Sequence, residues 1–196
     1  MGVSPIHLHE LSQIAQTEGS QVGDTSHIVY VPSAGVSCFV LDEVKVSRRY
    51  LAQALPTLLE DQLCEPVDKL HLCWGAHRSG ETLAVIVAKQ QTMQEWLDAI
   101  KVSGMQAEAL VPDFYCLPYH FDGVSLYWNG DYGIVRTGIH SGFSGSRDEV
   151  MSLLELAYAG QLQHRYGDDN ESLSTETMLY GSLPPATLDK AINLLQ

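Results

Sequence analysis

Basic residues are scarce in this chain. Eleven Lys and Arg stand against 24 Asp and Glu, for a formal net charge of −13 and a pI near 4.8. A surface of that sign repels phosphate backbones, which argues against nucleic acid as a partner and for a basic protein surface. Cysteine pairs are missing too. Cys38, Cys64, Cys73 and Cys116 are the four thiols, and none stands in a C-x-x-C pair. Cys73 alternates within an apolar run and Cys38 opens another, as buried thiols of a reducing compartment would. Spacing alone leaves disulfides open. No apolar run approaches the roughly 18 residues of a membrane-spanning helix. The opening MGVSPIHLHELSQ lacks the basic and apolar regions of a signal peptide. Ile6 stands where a myristoylation signal at Gly2 needs a hydroxyl residue. The residues alone predict a soluble cytoplasmic domain.

The motifs of common chemistries are absent as well. There is no Walker loop and no G-x-G-x-x-G. Gly130-Asp131-Tyr132-Gly133 loosely matches a phosphate-binding D-x-G, but a hairpin turn explains the same residues. His7 and His9 lack helpful cysteines, and His71 with Cys73 would share one strand face and pack. A zinc site needs three or four converging ligands. His27, His77, His120, His140 and His164 are scattered. His140, Ser141, Ser144 and Asp148 are too close together in sequence for a triad, and no G-x-S-x-G is present. These residues read as a turn and a cap. The acids Asp42-Glu43 and Glu60-Asp61 are adjacent rather than facing across a cleft. The Asn170-Glu171-Ser172 sequon has no meaning in a cytoplasmic chain. The expectation is no catalytic residue, no metal, no cofactor and no enzyme.

What is present is a mixed α/β pattern centred on residues 47–112, reading helix, strand, strand, helix, strand. Before it, Pro5 could start a short helix over Leu8 to Gln16. His27 to Pro32 is a strand, Ser33 to Gly35 a turn, Cys38 to Leu41 a second apolar run, and Asp42 to Ser47 a half-exposed strand. Ser47 is positioned to cap a helix with a wide apolar stripe of Tyr50, Leu51, Ala54, Leu55, Leu58, Leu59 and Leu63. Pro56 interrupts its backbone bonding. Glu60, Asp61 and Glu65 sit at its C-terminal end, against the helix dipole. Leu70 to Trp74 and Thr82 to Ala88 are strands, the second apolar enough for burial on both faces. Thr92 to Ser103 is a helix with Met93, Trp96, Leu97 and Ile100 inward and Gly104 as its stop. Ala107 to Val111 follows through a right-handed crossover.

Asp113 to His120 reads as an irregular boundary between a first lobe, 1–112, and a second, 113–196. Tyr115, Tyr119 and Phe121 crowd it and are read as sealing the lobes. Val124–Trp128 and Gly133–Thr137 flank Asn129-Gly130-Asp131 as a hairpin. Gly142 and Gly145 bracket a flexible segment. Ser146 and Glu149 form a capping box for a helix to about Ala159 that hides Val150, Leu153, Leu154 and Ala157. Leu162 to Tyr166 and Thr177 to Gly181 are short strands around an acidic loop. A last helix follows Pro184-Pro185 and runs through Leu194.

Three separated segments carry a family resemblance in one order. The first is Ala54-Leu55-Pro56, Leu58-Leu59-Glu60 and Gln62-Leu63 leading to Asp68 and Leu70-His71. The second is AEALVPD at Ala107 to Asp113. The third is Val135-Arg136-Thr137-Gly138 with Ser141-Gly142-Phe143. Across about residues 27–150 the chain resembles the cytoplasmic domain of type II secretion system protein L. The resemblance implies an actin-like, RNase-H-like fold of mixed sheets flanked by helices, similar to pilus assembly protein M. It also implies a non-catalytic scaffold that recruits the secretion ATPase, type II secretion protein E, at the cytoplasmic side of the bacterial inner membrane. The further partners it implies are type II secretion protein M and other platform or pseudopilin components, and a homodimer stays open. The family's opening β-hairpin before Leu8 is expected to be missing, which makes nucleotide binding less expected still; its transmembrane and periplasmic parts are expected to lie outside this sequence. The alternatives are an actin-like nucleotide-binding protein and a soluble adaptor of a pilus-type machine. From charge and exposure alone, the expected partner contacts are Glu60, Asp61, Glu65, Asp168, Asp169 and Glu171.

Overall fold

The computed structural model describes residues 5–7, 27–121, 123–165, 177–180 and 191–195. The chain divides into two compact units. One combines residues 1–31, 35–112 and 190–196; the other combines residues 32–34 and 113–189.

In the first unit, β1 (Pro5–His7) and β2 (His27–Val31) lead to β3 (Val36–Leu41), α1 (Leu51–Leu59), β4 (Leu70–Trp74), β5 (Leu83–Lys89), α2 (Gln90–Ser103) and β6 (Ala107–Pro112). An antiparallel sheet has the order β3-β5-β4. Its middle strand is buried from Leu83 to Ala88, as the continuous apolar run requires. Leu83, Val85 and Val87 alternate onto one face and meet Leu51, Leu55 and Leu59, spaced four apart on α1. Burying each such leucine is worth about 1.5–3 kcal/mol.

The apolar stripe of α1 is narrower than expected. Tyr50 and Leu58 are exposed, because the helix enters through a 3-10 turn, Arg48–Tyr50, that turns Tyr50 outward. Ser47 precedes that turn without a side-chain cap; its carbonyl accepts the Tyr50 N–H instead. Asp42 to Ser47 is not a strand. Glu43 sits at φ 47, in the left-handed region that interrupts extended backbone. Val44 then pairs with the following turn, donating to Glu81 O and accepting from Gly80 N–H.

Met93, Trp96 and Ile100 are the buried residues of α2, whereas Leu97 is partly exposed rather than inward. Gly104 ends the helix at φ 71, its N–H bonded to Lys101 O. A Cβ at Gly35 would sit 2.6 Å from the Trp96 ring, so the turn before β3 needs glycine. The expected crossover from β5 into a neighbouring parallel strand does not form. Both edges of β5 are taken by β3 and β4, so β6 joins a separate parallel sheet ordered β1-β2-β6.

Residues 191–195 contain no helix, contrary to expectation. They lie along β6. Leu194 N–H donates to Leu110 O at 2.8 Å, and the Asn193 side chain accepts from Leu110 N–H and donates to Glu108 O. The segment that was expected to be helical from Leu8 to Gln16 lies outside the described residues. Pro5 belongs to a strand parallel to β2.

The second unit holds β7 (Val124–Asn129), β8 (Tyr132–Arg136), β9 (Gly142–Ser146), α3 (Arg147–Arg165) and β10 (Thr177–Tyr180), in a sheet ordered β10-β7-β8-β9. Gly130 at φ 60 closes the β7–β8 hairpin. The segment bracketed by Gly142 and Gly145 is a strand, not a flexible link. It pairs antiparallel with β8, and a Cβ at Gly142 would collide with Phe114 and the Val135 carbonyl.

The Ser146–Glu149 capping box is present. Ser146 N–H and Oγ reach Glu149 Oε2 at 2.9 and 2.7 Å. The helix it starts continues through Arg165, where a strand from Leu162 was expected. Val124, Leu126, Val135, Val150 and Leu154 form the core. Leu153 and Ala157 face water instead, since Val150 and Leu154 already define the side of α3 turned to the sheet.

Candidate functional site

The expected partner contacts fall into two groups. Glu60 and Asp61 are exposed in a 3-10 turn that follows α1 directly. Glu65 lies a few residues on and forms an ion pair with Lys89, which holds the lysine pKa above its ordinary value. Asp168, Asp169 and Glu171 lie outside the described residues.

A second polar cluster lies wholly within the second unit and is buried. Asp113 follows β6 and opens a 3-10 turn, Asp113–Cys116. Asp113 is 3% exposed. Oδ1 accepts from Ser33 N–H at 3.0 Å and from Ser33 Oγ, and Oδ2 accepts from the Tyr132 hydroxyl at 3.0 Å. Tyr132 Oη is also 2.6 Å from Ser144 Oγ, which accepts from Ala34 N–H. Phe114 N–H donates to Ser33 Oγ.

One hydroxyl proton serves one acceptor. With Tyr132 donating to Asp113, Ser144 donates to Tyr132 and every group is satisfied. Burial pushes the Asp113 carboxyl above its usual range, and the bonds from Ser33, Tyr132 and Ser144 oppose that shift. Burial and the neighbouring Asp113 charge likewise raise Cys116 and Tyr132. This carboxyl is spent on protein partners. Its arrangement suits a clamp across the 33–34 turn, the 113–116 turn, β8 and β9, not a general base facing a substrate.

Sequence reasoning placed Asp113 at the start of an irregular boundary and Ser144 in a turn, and missed the cluster. The one signal was a lone acid inside VPDFYC, with apolar neighbours on both sides.

The VRTG and GF segments build a tethered loop beside this clamp. Arg136 is buried, and its guanidinium donates to three carbonyls. Nη1 reaches Leu117 O at 2.7 Å, Nη2 reaches Ile139 O at 2.8 Å and Nε reaches Gly138 O at 3.1 Å. The same group lies 5.2 Å over the Tyr115 ring, whose hydroxyl meets His140 Nδ1 at 2.9 Å. Thr137 and Gly138 both donate backbone N–H to Ser141 O. Of the aromatic trio, Tyr115 is buried, while Tyr119 is partly exposed and Phe121 is 87% exposed.

Several of the remaining sequence candidates have structural uses. Gly130 to Gly133 is the hairpin turn and the start of β8. Arg147 stacks 4.2 Å over Trp128 and reaches Asp131 at 3.9 Å. His71 and Cys73 share a strand face as expected, 3.0 Å apart, and His71 Nε2 bonds Leu194 O at 2.8 Å. Among the described residues, no group of three His, Cys, Asp or Glu side chains could hold a metal. Cys73 and Cys116 are buried, Cys38 is half-buried and Cys64 is exposed, and none forms a disulfide. No described helix is long and apolar enough to cross a membrane.

Comparison with known proteins agrees with the motif reading. Residues 7–189 match the family model of type II secretion system protein L. The protein of that name from Pectobacterium carotovorum is 34% identical over 109 residues, covering 55% of this chain and 25% of the relative. That from Dickeya chrysanthemi is 34% identical over 126 residues, covering 64% and 31%. The chain therefore spans about a quarter to a third of these relatives. Among solved structures, the cytoplasmic domain of EpsL, an inner membrane component of the type II secretion system of Vibrio cholerae, superposes with a TM-score of 0.64. The identity is 22%, over 92% of this chain and 70% of that one. The PilM–PilN type IV pilus biogenesis complex gives 0.51 at 14% identity, over 80% and 54%. Both neighbours are actin-like, and the mixed α/β fold belongs to that class.

Proposed function

Since the chain belongs to the family of type II secretion system protein L, we propose that it is a non-catalytic scaffold. In this reading it recruits the secretion ATPase, type II secretion protein E, at the cytoplasmic face of the inner membrane. Type II secretion protein M and the platform or pseudopilin components are the further partners. The observation that carries the reading is the use made of polar groups. The buried carboxyl of Asp113 is bonded to protein groups on both oxygens. By contrast, Glu60 and Asp61 are turned to water at a helix end where they oppose the dipole. Acid held in that place serves a basic partner better than it serves the helix.

The partner contacts we propose are Glu60, Asp61 and Glu65 and, from charge alone, Asp168, Asp169 and Glu171. A pull-down with the N-terminal domain of the ATPase tests it. Reversing all six charges should abolish capture while the fold, followed by circular dichroism, is kept. Capture that is indifferent to the six reversals removes these contacts. Calorimetry with ATP and Mg²⁺ tests the rival nucleotide-binding reading, which micromolar binding would favour.

A further inference from the structure

His71 and Cys73 stand two apart on β4 and share one face of it, and a short stretch of distant chain closes over them. Cys73 is 0% exposed, with Sγ 3.0 Å from His71 Nε2. The Leu194 carbonyl meets both groups, 2.8 Å from Nε2 and 3.5 Å from Sγ. Residues 191–195 thus lie along β6 and cap the thiol at the same time. Among the described residues three hydrogen bonds tie this segment to β6, and two of them run through the Asn193 side chain. A cap held so lightly opens more readily than a strand paired along its length.

The carbonyl decides what the pair does. A carbonyl oxygen only accepts, so Nε2 carries the ring proton and donates it to Leu194 O. An Nε2 so protonated has no lone pair for the thiol. The Cys73 proton therefore stays on sulfur and faces the same oxygen. Lifting residues 191–195 removes that acceptor. The ring proton is then free to sit on Nδ1, and Nε2 faces the thiol as a base within reach of its proton. Closed, the pair is inert. Open, it is an exposed and activated thiol.

We propose that Cys73 is a gated thiol-modification site, with His71 as its base and residues 191–195 as the gate, and that it reacts with a small disulfide of a low-molecular-weight thiol. In the step, Sγ–H gives its proton to His71 Nε2. The thiolate attacks one sulfur of the small disulfide. A new S–S bond forms as the old one breaks, and the departing thiolate takes the proton from His71. Cys73 is oxidised, and half of the small disulfide is reduced to a thiol. The adduct fills the place of the Leu194 carbonyl, so residues 191–195 stay off β6 until a thiol reverses the exchange. None of the six acids proposed as partner contacts takes part, so the two readings stand or fall separately.

Incubation of the whole chain with glutathione disulfide, followed by peptide mass spectrometry, tests the inference. Exposed Cys64 should react first and Cys116, buried in the second unit, last. Cys73 should react at least about ten-fold faster than Cys116. Asn193→Ala removes two of the three bonds to β6 and should speed Cys73 by about ten-fold, with Cys116 unchanged. In that background His71→Ala should slow Cys73 again, and added imidazole should restore the rate, which a merely structural histidine would not allow. Hydrogen exchange at the Leu110 amide, bonded to Asn193 Oδ1 in the closed form, should quicken in the adduct and recover on reduction. Equal rates at Cys73 and Cys116 in wild type, or a rise at both in Asn193→Ala, overturn the inference, since global unfolding then exposes the thiol. So does a Cys73 rate that is unchanged without His71. Sub-denaturing urea covers the case in which Asn193→Ala misfolds. In wild type the Cys73 rate should stay flat while the Cys116 rate climbs, and a parallel climb overturns the gate.

Discussion

Asp113 shows what a buried carboxyl costs and what it holds. Burial raises its pKa in the folded chain, so the folded state holds the proton more tightly than the unfolded one. Its contribution is fully present below the unfolded value of about 4 and is lost as pH rises through the higher folded value. Urea unfolding at a series of pH values should show this loss in wild type and not in Asp113→Asn. The asparagine keeps an oxygen for Ser33 and loses the titration. Parallel pH profiles for the two proteins would count against the raised pKa. Arg136 is the second residue on which much rests. Removing it leaves the carbonyls of Leu117, Gly138 and Ile139 without their donor, and the buried one, Leu117 O, costs about 1–3 kcal/mol when left unsatisfied. Arg136→Lys should also destabilise clearly in the same assay, since a single ammonium cannot reproduce a planar fork aimed at three oxygens.

At the scale of elements, burial separates residues that the sequence pattern treats alike. Leu55 and Leu58 both belong to the apolar set of α1, but Leu55 is 1% exposed and Leu58 is 41% exposed. Leu55→Ala should cost about 2–5 kcal/mol, and Leu58→Ala well under half of that. Equal losses in chemical denaturation would place α1 differently on its sheet. The capping box gives a spectroscopic prediction. Bonds from the Ser146 hydroxyl and backbone N–H hold the Glu149 carboxyl below its ordinary pKa, and Ser146→Ala, which removes only the hydroxyl, should raise it part of the way back, as read by an NMR titration. These local devices were legible in the sequence, as were the β7–β8 turn, the Gly104 stop and the buried run of β5, because each is written within a few neighbouring residues. Strand partition was not. β6 leaves β5 for β2 because distant strands already occupy both β5 edges, and no window around β6 carries that information. β9 looked like a flexible link because Gly142 answers to Phe114, nearly 30 positions away. The clamp on Asp113 was hidden for the same reason: its partners stand at positions 33, 132 and 144.

For the whole molecule, the family was legible from three short motifs, and the structure gives one of them a physical meaning. The VRTG and GF segments are a buried arginine, the loop it tethers and a glycine that admits Phe114. These residues serve packing and loop geometry, and the resemblance rests on them. The acidic surface has no such local explanation, and the docking proposal rests on it. Binding of the ATPase's N-terminal domain to the intact chain, measured by titration calorimetry at moderate salt, tests the scaffold most directly. The account predicts saturable one-to-one heat per chain for wild type and at least about ten-fold weaker binding once the six acids are reversed. Absence of binding by wild type, or equal affinity after reversal, would contradict it.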